Sequence, residues 1–128
     1  MPPALVASLL VGAGGFLGAI ARYLTTNAIG TSASGIPWAT FVINVSGSLL
    51  LGALGTAATR GLIGAPEPVR LALGVGFLGA FTTFSTFSVE TNHLIQTDDW
   101  PMAMLYAAGS VVAGLAAVRA GAAIGAAL

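Results

Sequence analysis

The chain contains no cysteine, so neither disulfides nor thiolate metal sites can shape it, and redox compartment leaves no mark on it. Charge is almost as scarce. Asp, Glu, Lys and Arg make up 6% of the 128 residues, against roughly 25% in soluble globular domains. A formal net charge of zero with no basic block argues against a nucleic-acid partner. Histidine occurs once, at His93, and no serine can be positioned beside it as the nucleophile of a hydrolase. Low-complexity runs and internal repeats are also missing, and the length allows one domain, residues 1–128.

What the chain has instead is apolar length, 56% of it hydrophobic. Its charges stand only at Arg22, Arg60, Glu67, Arg70, Glu90, Asp98, Asp99 and Arg119, and long uncharged intervals lie between them. A bilayer core of roughly 30 Å needs about 20 apolar residues in a helix. Four intervals meet that length, near residues 4–22, 38–59, 71–92 and 101–119 or beyond. The fold expected is therefore an all-α membrane protein of four transmembrane helices.

The first interval lacks the basic start of a signal peptide, and Gly14 and Gly18 have the small-xxx-small spacing of close helix packing. Ser48 with Gly52, and Ser110 with Gly114, repeat that spacing in the second and fourth spans. TNAIGTSASGIP (26–37) reads as a loop and GLIGAPEPVR (61–70) as a connection whose prolines oppose helix. The turn TDDWP places Trp100 at an interface. Four crossings put Arg60, Arg70 and Arg119 on one side and Arg22 on the other, a weak bias compatible with insertion in both directions.

Polar groups inside the spans point to function. GAFTTFSTFS (79–88) threads hydroxyls and phenylalanines through the third span. Gly79 lies near its middle and mediocre helix formers follow, so the backbone can unwind at 79–82 and expose carbonyls to a cation. An unbroken helix whose hydroxyls bond back to the preceding turn is the other reading. Phe84 and Phe87, three apart, share a helix face; they are either packing residues or rings whose positive edges solvate an anion. Asn44 offers two amide donors at depth, either to an anion or to a neighbouring helix. Glu90 is expected at a helix end, as an anchor or a vestibule residue. A small dual-topology multidrug or cation transporter is the alternative function, although proton coupling normally needs a carboxylate within the membrane.

GGFLGAIARY (14–23), FVINVSGSLLLG (41–52) and GFLGAFTTFSTFS (76–88) resemble, in order and spacing, the three signatures of the Fluc (CrcB) fluoride channels. The resemblance implies an antiparallel, dual-topology homodimer in the plasma membrane, with the third helix broken at the midplane and two fluoride pores. It implies a structural sodium ion at the dimer interface, held by the main-chain carbonyls of Gly79 and Thr82. It makes Phe84 and Phe87 the family's phenylalanine box, with Asn44 beside them. Tyr106 and Ser110 then continue a polar track with Ser85 and Thr86, and Arg22 matches the arginine of the first signature. Passive export of fluoride, protecting the cell from its toxicity, is the activity implied, and no enzyme chemistry is expected. One departure stands out. Ala80 follows Gly79 where related sequences often carry a second glycine, and Ala would be strained if that position needed positive φ.

Overall fold

The computed structural model describes residues 1–30, 32, 35–61 and 67–128. Parts of the expected loop at 26–37 and of the connection at 61–70 therefore lie outside the described residues. Among the described residues every regular element is helical: α1 (Pro3–Ile29), α2 (Trp38–Thr59), α3 (Glu67–Arg70), a π-helical segment (Leu71–Leu78), α4 (Gly79–Phe81), α5 (Phe84–Gln96) and α6 (Trp100–Ala127). Taken as continuous spans, Pro3–Ile29, Trp38–Thr59, Glu67–Gln96 and Trp100–Ala127 are four helices long and apolar enough to cross a membrane.

Helix boundaries follow from caps more than from charge. α1 runs through Arg22 and on to Ile29, where a span ending at Arg22 was expected. The hydroxyls of Thr25 and Thr26 donate to the carbonyls of Ala21 and Arg22, at 2.8 and 2.9 Å, which lets these polar residues stay helical. The helix stops at Gly30, whose φ of 68° suits glycine. At the start of α6 the Asp99 carboxylate accepts the Met102 N–H at 3.3 Å, and a proline enters the first turn, where its missing N–H costs nothing. α6 continues past Arg119 to Ala127, and the Arg60 guanidinium donates to the Ala126 carbonyl at 3.4 Å. α5 likewise runs on to Gln96. Glu90 is consequently an interior residue of a helix, not the helix-end residue expected.

The third span is the irregular one. Its first half is π-helical from Leu71 to Leu78, and the Gly79 N–H points at the carbonyls of Gly74 and Gly76. Gly79 itself has helical dihedrals, and Ala80 lies within the helical turn Gly79–Phe81. Among the described residues the only non-glycine positive φ is at Asp98, so Ala80 carries no strain. Thr82 (φ −76°, ψ 159°) and Thr83 (φ −152°, ψ 123°) are extended. Helix resumes at Phe84 with Thr83 as N-cap, its side chain accepting the Thr86 N–H.

Two backbone-to-backbone seams hold the bundle. α1 lies on the π segment and α4, and a Cβ on Gly14 or Gly18 would collide with the carbonyls of Ala72 or Phe77. α2 lies on α6, where Gly121 and Gly125 meet the backbone of Leu49 and Ala53 and Gly52 meets that of Val118. Gly114 is looser, since a Cβ there would find only the Ser48 Oγ, at 3.8 Å. Beyond the seams, a small cluster of Leu94, Ala103 and Tyr106 is covered by Phe41, Phe87, Ile95 and Met102. Large apolar side chains such as Leu9, Phe16, Leu17, Val112 and Leu115 face outward.

Candidate functional site

Everything that carries chemistry converges on the two extended threonines. Asn44, in α2, holds Thr83 by both main-chain groups: its Nδ2 donates to the Thr83 carbonyl at 3.0 Å, and its Oδ1 accepts the Thr83 N–H at 2.8 Å. One of the two amide donors expected for an anion is thus already engaged, and one N–H remains. The Thr82 hydroxyl donates back to the Leu78 carbonyl at 3.0 Å. That of Thr83 donates to the Thr86 Oγ1 at 3.1 Å and lies 3.4 Å from the Ser85 Oγ.

These bonds redirect donors away from the helix ladder. In a continuous helix the carbonyl of Gly79 would receive the N–H of Thr83, and that of Thr82 the N–H of Thr86. Here Thr83 N–H goes to Asn44 and Thr86 N–H to the Thr83 hydroxyl. Gly79 is exposed on the outer face, beside a groove between α2 and the third span.

An open groove of about 300 Å³ lies next to this turn. Asn44, Ser48, Thr82, Thr83, Phe84, Phe87 and Ser110 line it together with small and aliphatic residues, and no charged side chain does. The Phe84 and Phe87 rings are 5.8 Å apart and tilted by 42°. Phe87 leans in turn on Tyr106, 5.3 Å away. Phe84 is 79% exposed, an unusual position for a ring at the edge of a cavity. The Ser110 hydroxyl is buried with no hydrogen-bond partner among the described residues, which is costly unless something in the groove supplies one.

A second cavity, of about 320 Å³, shares Thr83 with the first and is lined by Arg22, Tyr23, Thr26, Thr40, Thr86 and Glu90. Glu90 and Thr26 also line a wider space of about 490 Å³ near the end of α1 and the start of α2. The Glu90 carboxylate bridges three helices, accepting from the Thr40 hydroxyl at 2.8 Å and from the Tyr106 hydroxyl at 2.7 Å. The wider space shares Thr26 and Glu90 with the second cavity, which shares Thr83 with the first, so the three spaces adjoin in that order.

The structure brings together Asn44, Thr82, Phe84, Phe87 and Ser110 at the open groove and Arg22, Thr86 and Glu90 at the second cavity, with Tyr106 reaching Glu90 from α6. Ser85 is exposed and lines neither cavity. Sequence reasoning missed Thr40, although it stands one helical turn before Asn44 and so on the same face. It also gave no role to Thr83, whose main chain turns out to be the point of attachment.

Comparison with known proteins agrees with this picture. The family model described as CrcB-like protein, Camphor Resistance (CrcB), matches residues 9–122. A protein of Chlorobaculum tepidum named fluoride-specific ion channel FluC is 47% identical over 113 residues, covering 88% of this chain and 89% of that one. One of the same name from Novosphingobium aromaticivorans is 50% identical over 115 residues, covering 87% and 89%. The FluC 1 protein of Moorella thermoacetica is 45% identical over 114 residues, covering 88% and 81%. Four membrane-length helices and matches that extend over nearly the whole sequence lead to one assignment: the chain is a multi-pass membrane protein of the CrcB-like family.

Proposed function

We propose that the protein is a fluoride-selective channel of the plasma membrane, working as an antiparallel homodimer that lets F⁻ leave the cell down its electrochemical gradient. It performs no enzyme chemistry, in keeping with relatives named as ion channels. The observation that carries this reading is the groove beside Asn44, lined by Phe84, Phe87 and no charged side chain, in which the buried Ser110 hydroxyl has no partner among the described residues. Fluoride is small and strongly hydrated. A conducting site must replace its water with donors and then release it, and neutral hydroxyls, an amide N–H and ring edges do so without trapping the ion.

The remaining assignments follow from the same geometry. Arg22 and Thr86 would receive the anion on its way in. Tyr106 would hold the Glu90 carboxylate in place on the lining of the second cavity, and Ser85 would serve only on a face shared with a second copy. The exposure of Phe84 and Gly79 supports such a copy, which would cover both and complete the phenylalanine box. In that dimer the extended pair Thr82–Thr83 becomes the midplane break of the third helix. The main-chain carbonyls of Gly79 and Thr82, relieved of their usual donors, suit a hard cation such as Na⁺, and two copies would double the oxygen ligands to a shared ion. Bound there, sodium would supply fixed positive charge at the interface.

Energetics favour a simple pore. With the cell interior negative, one fluoride moving outward gains about 2.3 kcal/mol per 100 mV, roughly a fiftyfold ratio, without ATP or a coupled ion. A coupled transporter is less well supported, because the one carboxylate inside the bundle, Glu90, has each oxygen occupied by a hydroxyl donor. Ion efflux from proteoliposomes tests the proposal. Fluoride release without chloride release is the expected result, and an intact fluoride gradient would overturn it.

A further inference from the structure

We infer that Gly47 is a positioning residue: by lacking a side chain it lets the Thr82 methyl seat against α2, and so fixes where the Thr82 carbonyl points. The inference rests on the channel reading above for its functional consequence, but its structural basis is independent of it. Gly47 is buried on α2, three residues after Asn44 and on the same face. A Cβ built on it would collide with Thr82 Cγ2 and would lie 3.4 Å from Phe81 Cδ1.

The threonine cannot simply turn aside. Its χ1 is stiff because the side chain is β-branched, and its hydroxyl is committed to the Leu78 carbonyl at 3.0 Å. Swinging the methyl away would break that bond, so an added Cβ either costs the anchoring of Thr82 to Leu78 or displaces the Thr82 main chain, and both loosen the turn. Next door, Thr83 is held by the Asn44 carboxamide through both main-chain groups. One turn of α2 therefore locates the two extended residues by different means: Asn44 grips the second with hydrogen bonds, and Gly47 sets the distance to the first by contact. The Thr82 carbonyl, a proposed sodium ligand, lies between these two constraints.

The test is a double-mutant cycle using Gly47→Ala with Thr82→Ser, since serine keeps the hydroxyl that bonds Leu78 but removes the colliding methyl. Two readouts are taken on the full-length protein in membranes. The first is backbone hydrogen exchange in residues 81–86, which follows the Thr83 N–H held by Asn44. The second is the sodium concentration needed for half-maximal fluoride flux. Gly47→Ala alone should speed exchange in that segment and raise the sodium requirement about tenfold, equivalent to ~1.4 kcal/mol. In the Thr82→Ser background the same substitution should change each by less than about threefold. Equal effects in both backgrounds, including failure of both alanine variants to fold, would overturn the inference, as would unchanged exchange and sodium dependence in Gly47→Ala. If the unmodified protein releases no fluoride, the channel reading falls, and the exchange comparison still decides the role of Gly47.

Discussion

The Asn44 carboxamide binds Thr83, 39 positions further along the chain, by donating to its carbonyl at 3.0 Å and accepting its N–H at 2.8 Å. A side chain paired in this way stands in for the neighbouring strand that extended backbone would otherwise need, and it leaves one N–H directed elsewhere. Asn44→Asp keeps the acceptor, loses the donor and adds a negative charge beside an anion path. Fluoride flux should fall by at least about a hundredfold in liposome assays, more than a single neutral hydrogen bond of ~0.5–1.5 kcal/mol explains. Flux at the wild-type level would leave Asn44 a purely structural clamp.

Ser110 offers the cleanest separation of stability from function. Its hydroxyl is buried and has no partner among the described residues, so Ser110→Ala should leave thermal stability unchanged or raised. Flux should nevertheless drop about three- to tenfold, the worth of one neutral hydrogen bond to the ion. Thermal unfolding and efflux measured on the same preparation check both halves.

Phe84→Ile and Phe87→Ile should abolish fluoride flux through loss of the ring edges, yet they should differ in stability. Phe84 is 79% exposed and contributes little to the fold of one subunit, whereas Phe87 packs on Tyr106 and its replacement should lower the melting temperature. Efflux and melting curves of the two variants give the comparison.

Tyr106→Phe keeps the ring against Phe87 but removes the donor that reaches Glu90 at 2.7 Å. Hydrogen bonds to charged groups contribute about 1.5–3 kcal/mol, so a clear loss of stability is expected. Thr40→Val removes the other donor to the same carboxylate at nearly constant volume. The two losses should be non-additive when combined, as a double-mutant cycle in thermal unfolding will show.

Sodium withdrawal from both sides of the membrane should weaken the dimer, with no sodium crossing as fluoride does. Crosslinking yield and radiotracer sodium uptake in liposomes report these separately. An unchanged dimer in sodium-free buffer would remove the proposed cation from Gly79 and Thr82.

Much of this architecture was legible because charge in a bilayer is expensive: the gaps between eight scattered ionic residues give the number and rough place of the four spans, although the helices run past Arg22, Glu90 and Arg119. The Gly14–Gly18 seam was legible too, since small residues at that spacing admit close backbone approach. The position of the extended pair was not. Residues 79–82 looked weakest as helix, but the dihedrals change at Thr82 and Thr83, because the deciding partner, Asn44, lies on another helix and local propensity cannot report it. Nothing in LALGVGFL announces a π-helix, and the segment's long contact with α1 is not visible in local sequence. Glu90 looked terminal because its charge was taken as a boundary. In the fold its carboxylate is satisfied by Thr40 and Tyr106, and a satisfied charge need not mark an edge.

α6 also sets a ruler for depth. From Trp100 to Arg119 the helix rises about 28 Å, close to the roughly 30 Å of hydrocarbon, so an indole and a guanidinium fall at opposite headgroup zones. The last two turns then overshoot the acyl chains, moored to the end of α2 where Arg60 meets Ala126. A rod with anchors one bilayer apart suits the subunit to a single depth in the membrane.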